Sequence, residues 1–150
     1  MNKLNWCLKQ KNGILLIEPN ENLAKAYLVK SSDSLETMQL AKATDWKISA
    51  AYYSMYFAVY ALCMKSGVKS EIHSCTLELA SQFFLNSDDA ELLSTAFRAR
   101  NDAQYYVDKE IKSDVLELVV SSAASFVARC KRILDTLPES KVKEIRDKLK

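Results

Sequence analysis

The sequence has few of the residues that interrupt helices, with only two glycines and two prolines among 150 residues. Because both residues mark turns, their scarcity excludes a fold of many short strands joined by tight turns and favours long helices. A hydrophobic share of 49% is enough to build a core. We therefore expect an all-α fold, an up-and-down antiparallel bundle of four to five main helices, in a single domain over residues 1–150.

Charge of one sign and long apolar runs are also lacking. The 21 basic and 19 acidic residues are mixed along the chain, so no broad basic surface attracts a polyanion. This charge pattern is compatible with nucleic-acid binding but does not indicate it. No apolar run reaches the roughly 18 residues of a membrane span. Residues 1–11 carry lysines but no apolar stretch before a cleavage site, unlike a secretory signal. These absences predict a cytoplasmic protein that does not bind a membrane.

The four cysteines form no C-x-x-C pair and are far apart in the sequence: Cys7, Cys63, Cys75 and Cys130. Three of them lie among apolar neighbours in predicted helices. We expect free thiols in a reducing compartment. No spacing of metal ligands is present, and no cofactor or metal is expected.

Apolar residues recur at helical spacing in five segments: about 20–42, 45–66, 70–85, 89–107 and 113–137. The second segment is apolar on all sides, which is typical of a central helix. Asn20 is a predicted N-cap and Gly67 a predicted left-handed C-cap. The core is expected over about residues 20–137, preceded by a short arm in which residues 14–17 form a strand or a packed coil. Residues 139–150 are a charged surface helix or a frayed tail.

One charged residue interrupts the apolar face of the fourth predicted helix. That face consists of Leu93, Ala96, Phe97, Arg100, Ala103, Gln104 and Val107. Burying the Arg100 guanidinium costs several kcal/mol unless it meets a carboxylate, carbonyls, a second subunit or a ligand. Periodicity alone favours a structural role for Arg100, bonded to a neighbouring helix or to a second subunit, over a ligand site. Arg98 and Asp102 point the opposite way, and their spacing allows an ordinary exposed ion pair.

Residues 100–105, R-N-D-A-Q-Y, read R-x-x-A-x-Y, and residues 51–56, A-Y-Y-S-M-Y, precede an Ala-Leu pair at 61–62 and the turn Gly67-Val68-Lys69. These two motifs resemble those of the HEPN (higher eukaryotes and prokaryotes nucleotide-binding) domain family, in its small stand-alone prokaryotic branch. The resemblance covers about residues 20–137. It implies a helical bundle that often dimerises, and many relatives are partners of small nucleotidyltransferases in toxin–antitoxin modules.

Ribonucleases of that family carry an Arg, often followed by Asn, and a catalytic His four to six residues later. Arg100 and Asn101 match the first half of this pattern, but Tyr105 stands where the histidine is expected. A tyrosine of pKa about 10 exchanges protons poorly near pH 7. Phosphate binding by Arg100 therefore survives the substitution better than catalysis does.

The only histidine is His73, in the first turn of the predicted third helix. Stand-alone relatives often have a histidine after this turn, and contact with Arg100 would restore general acid or base chemistry. A helix-end histidine bonded to backbone or water is the more usual arrangement. Tyr53, Tyr56 and Tyr60 share one side of the central helix, either as a hydroxyl ladder along a groove or as core residues with hydrated tips.

The leading hypothesis is a HEPN-like module that works as a homodimer, binds a nucleotide or RNA phosphate and accompanies a small nucleotidyltransferase. Its expected ligand contacts are Arg100, Asn101, Gln104, Tyr53 and Tyr56. The first alternative is a metal-independent endoribonuclease that uses Arg100 with His73 or Tyr105. The second is a non-catalytic dimeric interaction domain in which Arg100 locks the subunit interface.

Overall fold

The computed structural model describes residues 2–150 and confirms the all-α class. In chain order the elements are α1 (Lys3–Lys9), β1 (Ile14–Leu16), α2 (Glu21–Leu40), α3 (Thr44–Ser66), β2 (Val68–Ser70), α4 (His73–Phe83), α5 (Ser87–Tyr105), α6 (Ser113–Thr136) and α7 (Glu139–Lys148). The five predicted segments correspond to α2 to α6, and the arm and the C-terminal segment add two short helices.

Helix α3 is the centre of the bundle and contacts α2, α4, α5 and α6. Its buried residues lie on every side of the helix, in agreement with a segment that has no polar face. Phe126 of α6 and Leu93 of α5 are almost completely buried in the same core. Helices α2, α4, α5 and α6 therefore pack around α3.

The predicted helix ends at Asn20 and Gly67 are confirmed, and Asn86 caps the start of α5. The side-chain oxygens of Asn20 and Asn86 each accept a hydrogen bond at 2.8 Å, from the backbone N–H of Leu23 and Asp89 respectively, which satisfies donors of the first turn. Gly67 ends α3 in the left-handed region, with φ 70° and ψ 40°.

The N-terminal arm contains a strand, which forms a small antiparallel sheet. β1 pairs with β2, with Leu15 opposite Lys69. The pairing corrects the predicted start of the third helix, because the backbone around Ser70 is extended to bond with β1. Helix α4 begins at His73 instead, and the Ser70 hydroxyl accepts a hydrogen bond from the Ile72 N–H at 3.2 Å.

The charged C-terminal segment is a helix docked on the bundle rather than a frayed tail. Ile145 is buried, and Nη1 of Arg146 donates hydrogen bonds of 2.7 Å to the carbonyl oxygens of Ile17 and Gly67. A single guanidinium thereby joins α7 to the end of β1 and to the C-cap of α3.

Substitution of Gly67 tests this junction. An added Cβ would lie 2.6 Å from the carbonyl oxygen of Ile17 and would collide with Nη1 of Arg146. We expect Gly67→Ala to lower the free energy of unfolding by about 2–4 kcal/mol, from the left-handed backbone and the displaced hydrogen bonds. Urea denaturation measures the loss. In an Arg146→Ala background the same substitution should cost less, and strictly additive losses would contradict the proposed collision.

The cysteine prediction is wrong for one pair, because Cys7 of α1 and Cys75 of α4 form a disulfide across a sequence separation of 68 residues. Sequence spacing could not show this, since α1 is brought to α4 only by the fold. The cysteines therefore no longer support the reducing compartment that we inferred from four free thiols. Cys63 and Cys130 are free and buried, and burial raises the pKa of each thiol to about 12.

Among residues 2–150, none of the helices combines the length and apolar character needed to cross a bilayer.

Candidate functional site

The structure confirms that Arg100 is buried, with only 7% of the residue exposed. Helix α5 directs its side chain onto α3, where Nη2 donates a 2.6 Å hydrogen bond to the hydroxyl of Tyr53. Nη1 donates a 2.6 Å hydrogen bond to Oδ1 of Asn101. The Nε atom is buried and has no hydrogen-bond partner.

No acidic side chain among the described residues forms a salt bridge with Arg100. The rings of Tyr52 and Tyr53 lie 5.3 and 5.2 Å from its guanidinium carbon, so the faces of two aromatic rings and two neutral oxygens surround the charge. Cation–π contacts of this kind contribute about 1–2 kcal/mol each, less than the several kcal/mol that burying an ion costs. The cluster therefore holds a positive charge that lacks an anion.

A second arginine shows what a compensated cation looks like in this protein. Arg129 of α6 makes two hydrogen bonds, of 2.8 and 2.6 Å, to the carboxylate of Asp89 on α5. This bidentate pair lines an open groove of about 710 Å³. Because its charges neutralise each other, it is explained as a link between α5 and α6 and requires no ligand.

His73 lies in the same cluster as Arg100, with Tyr52 between them. Its Nδ1 is 2.8 Å from the hydroxyl of Tyr52, and its ring stacks on Tyr56 with centroids 4.3 Å apart. Burial, and then the positive charge of Arg100, lowers the pKa of His73 below its ordinary 6.5. Burial also raises the pKa of Tyr52. At neutral pH the imidazole and the phenol are therefore both uncharged, and the imidazole is able to accept a proton.

The other predicted site residues divide into two groups. Tyr53, Tyr56 and Asn101 belong to the cluster, whereas Tyr105, at the end of α5, is 67% exposed and bonds to neither Arg100 nor His73. The tyrosine hydroxyls do not form a continuous ladder. That of Tyr56 is 3.5 Å from Thr76, and that of Tyr60 donates to the Ser70 carbonyl.

Tyr52 is the site residue that sequence reasoning missed, because its position on the apolar face of α3 assigned it to the core. It is indeed completely buried, but its hydroxyl bonds to His73 and its ring lies against the Arg100 guanidinium. The available signal was chemical, since a phenol in a core position requires a hydrogen-bond partner.

A cavity of about 410 Å³ adjoins the cluster. Its lining residues are Asp45, Trp46, Ser49, Tyr53, Ala103 and Gln104. Tyr53 forms the shared wall, because the same side chain lines the cavity and accepts the hydrogen bond from Arg100. Gln104, one turn after Arg100 on α5, therefore faces this cavity rather than the guanidinium itself.

The exposed face of α5 differs from expectation. Arg98 donates to the hydroxyls of Ser94 at 2.9 Å and Thr95 at 3.4 Å, while Asp102 pairs with Lys109 at 3.5 Å. The expected pairing of Arg98 with Asp102 is therefore wrong, because hydroxyls one turn earlier and a lysine beyond the helix satisfy the two charges. Over residues 2–150, His, Cys, Asp and Glu side chains form no group of three that could hold a metal ion.

The fold and the site together define a class of protein, an all-α bundle in which a buried arginine without a carboxylate adjoins a histidine and a row of tyrosines. A UPF0332 protein of Archaeoglobus fulgidus is 31% identical over 91 residues, covering 58% of this chain and 73% of that protein. The chain belongs to the UPF0332 family.

A second relative is more distant. A Methanocaldococcus jannaschii protein named "Putative toxin" is 26% identical over 110 residues, covering 70% of this chain and 75% of that protein. No family model matches the chain.

Proposed function

We propose that this protein is a HEPN-like, toxin-type module that binds a phosphate group of RNA or of a nucleotide at Arg100. The observation that carries the proposal is the burial of Arg100 with no carboxylate partner among residues 2–150. The resemblance of residues 100–105 to the HEPN pattern and the toxin name of the archaeal relative support the same function. A homodimer and a small nucleotidyltransferase partner are part of the proposal on the strength of that resemblance.

The hydrogen-bond pattern of the cluster suits an anion. A guanidinium has five N–H donors. Arg100 uses one N–H of Nη1 and one N–H of Nη2 in this site. The N–H of Nε and the second N–H of each terminal nitrogen remain free. Asn101 and Tyr53 accept those two bonds, so the amide NH2 and the phenolic O–H keep their own hydrogens. The groups left over around Arg100 are therefore donors, and phosphate oxygens are acceptors that arginine binds in bidentate geometry.

Ligand comparison tests the phosphate requirement. Fluorescence anisotropy and thermal-shift measurements would compare a short single-stranded RNA, a mononucleotide and the corresponding nucleoside. We expect binding of the phosphate-bearing ligands, weakening as salt rises because counterions compete for the cation. The nucleoside, which has the same base and sugar but no phosphate, is the matched control. Equal binding of nucleoside and nucleotide would contradict the proposal.

A second function, metal-independent RNA cleavage, is favoured by the contact between His73 and Tyr52. When Nδ1–H of His73 donates to the Tyr52 oxygen, Nε2 keeps its lone pair and can take the proton of a ribose 2′-hydroxyl. The 2′-oxygen then attacks phosphorus, the bond to the 5′-oxygen breaks, and that oxygen takes up a proton from water, leaving a 2′,3′-cyclic phosphate. Arg100 would stabilise the charge that builds on the phosphate oxygens.

The pH dependence of cleavage tests this second function. Because the pKa of His73 is lowered, its base form persists in acid, so the rate should rise with pH, reach half its maximum below pH 6.5 and then stay level. His73→Gln should reduce the rate about 10²- to 10⁴-fold. The assay follows single-stranded RNA in EDTA, with Tyr105→Phe as the control that keeps full activity. RNA that stays intact with the wild-type protein would exclude cleavage.

A further inference from the structure

An exposed tryptophan stands beside the Arg100 cluster. Trp46, near the start of α3, is 72% exposed. It lines the 410 Å³ cavity and also a second, more apolar groove, whose lining includes Ala50 and Phe57. Ser49 and Tyr53 also line both hollows, so Trp46 lies where the two meet, and Tyr53 is the residue that accepts the hydrogen bond from Arg100.

The position of Trp46 follows from the pattern of α3. Residues 46, 50, 53 and 57 are spaced by three and four and occupy one side of the helix. Toward Phe57 this side becomes half-buried, and at Trp46 it is open. A large apolar ring at the mouth of a cavity leaves apolar surface in water, and covering that surface with a ligand would gain free energy.

The cavity beside Trp46 suits a nucleobase better than a phosphate. Its rim carries a carboxylate from Asp45, a hydroxyl from Ser49 and an amide from Gln104. The carboxylate repels an anion but accepts hydrogen bonds from base N–H groups. The donors that suit a phosphate lie behind Tyr53, at Arg100. The two neighbouring places therefore match the two ends of one nucleotide.

We propose that Trp46 is a stacking platform for the base of a nucleotide whose phosphate lies at Arg100. This inference rests on the proposed phosphate-binding function and adds the subsite for the base. Stacking on an aromatic face accepts any base, so the subsite gives affinity with little sequence preference. In this proposal the exposed side of α3 at Trp46 binds nucleic acid and is not the contact with a second copy of the chain.

Alanine substitution tests the platform. Trp46→Ala should weaken binding of a short single-stranded oligoribonucleotide about 5- to 150-fold, and Trp46→Phe should restore most of it. Binding of pyrophosphate, which has no base, should be unaffected. Trp6→Ala is the matched control, since Trp6 is the only other tryptophan and lies exposed on α1. In a Trp6→Phe background, the oligoribonucleotide should quench Trp46 fluorescence and pyrophosphate should not.

The outcomes separate this inference from the function on which it rests. If Trp46→Ala binds the oligoribonucleotide as tightly as the wild type while an Arg100 variant does not, the platform is overturned and phosphate binding stands. If the wild type binds neither probe, both fail. Sedimentation of Trp46→Ala completes the test, because a shift from dimer to monomer would make Trp46 a subunit contact and overturn the platform.

Discussion

Arg100→Met is expected to lose binding of single-stranded RNA by about 10- to 150-fold without destabilising the protein. The loss of binding follows from the removal of charge-assisted hydrogen bonds to a phosphate, worth about 1.5–3 kcal/mol. Methionine has a similar length and fits an apolar helix face. The free energy of unfolding should stay the same or rise by up to about 2 kcal/mol, because a buried charge without an anion is replaced by a hydrophobic side chain.

The stability measurement distinguishes a ligand site from a structural arginine. An Arg100 that locked the bundle would cost about 3–5 kcal/mol on removal, as breaking a buried ion pair does. An Arg100 that locked a subunit interface would, on removal, convert a dimer into a monomer. Tyr53, the hydrogen-bond acceptor of Arg100, is only half-buried, so water can replace the lost donor.

Arg98→Met is the matched control. Arg98 belongs to the same helix but bonds only to Ser94 and Thr95 on the exposed face. Arg98→Met should leave the RNA affinity, measured by fluorescence anisotropy, unchanged. It should change the free energy of unfolding, measured by urea denaturation, by no more than about 0.5 kcal/mol. If both variants lost RNA binding equally, the affinity would come from general positive charge and the assigned site would be wrong.

Removal of the disulfide has the second large expected effect. The Cys7–Cys75 bond closes a segment with a sequence separation of 68 residues, and loop-closure entropy for that length amounts to about 4 kcal/mol at 25 °C. We expect the double variant Cys7→Ser, Cys75→Ser to lose about 2–4 kcal/mol of unfolding free energy in urea denaturation. The double substitution avoids leaving a single reactive thiol.

Reduction supplies the control for this experiment. Dithiothreitol should lower the stability of the wild-type protein toward that of the double variant and should leave the double variant unchanged. No change in the wild-type protein would mean that the bond does not constrain the unfolded chain. Because His73 begins α4 only two residues before Cys75, any activity that depends on His73 should fall as well when α4 is released from α1.

Local patterns in the sequence were enough to predict the helical architecture and the anomaly at Arg100. Helix α3 has no polar face, so its central place followed from its composition, and its left-handed end followed from the glycine at position 67. The burial of Arg100 followed from its place on an apolar stripe. These features depend on residues within a few turns of one another, where the 3.6-residue repeat determines which side chains share a face.

Contacts between distant segments were decided only by the tertiary structure. The Cys7–Cys75 disulfide, the pairing of Leu15 with Lys69 and the hydrogen bond between Tyr52 and His73 each join segments that no repeat relates. Periodicity shows which face of a helix is apolar, but not which two faces meet or at what height along their axes. That choice depends on how all the side chains pack at once, and it places a neutral histidine beside a buried cation.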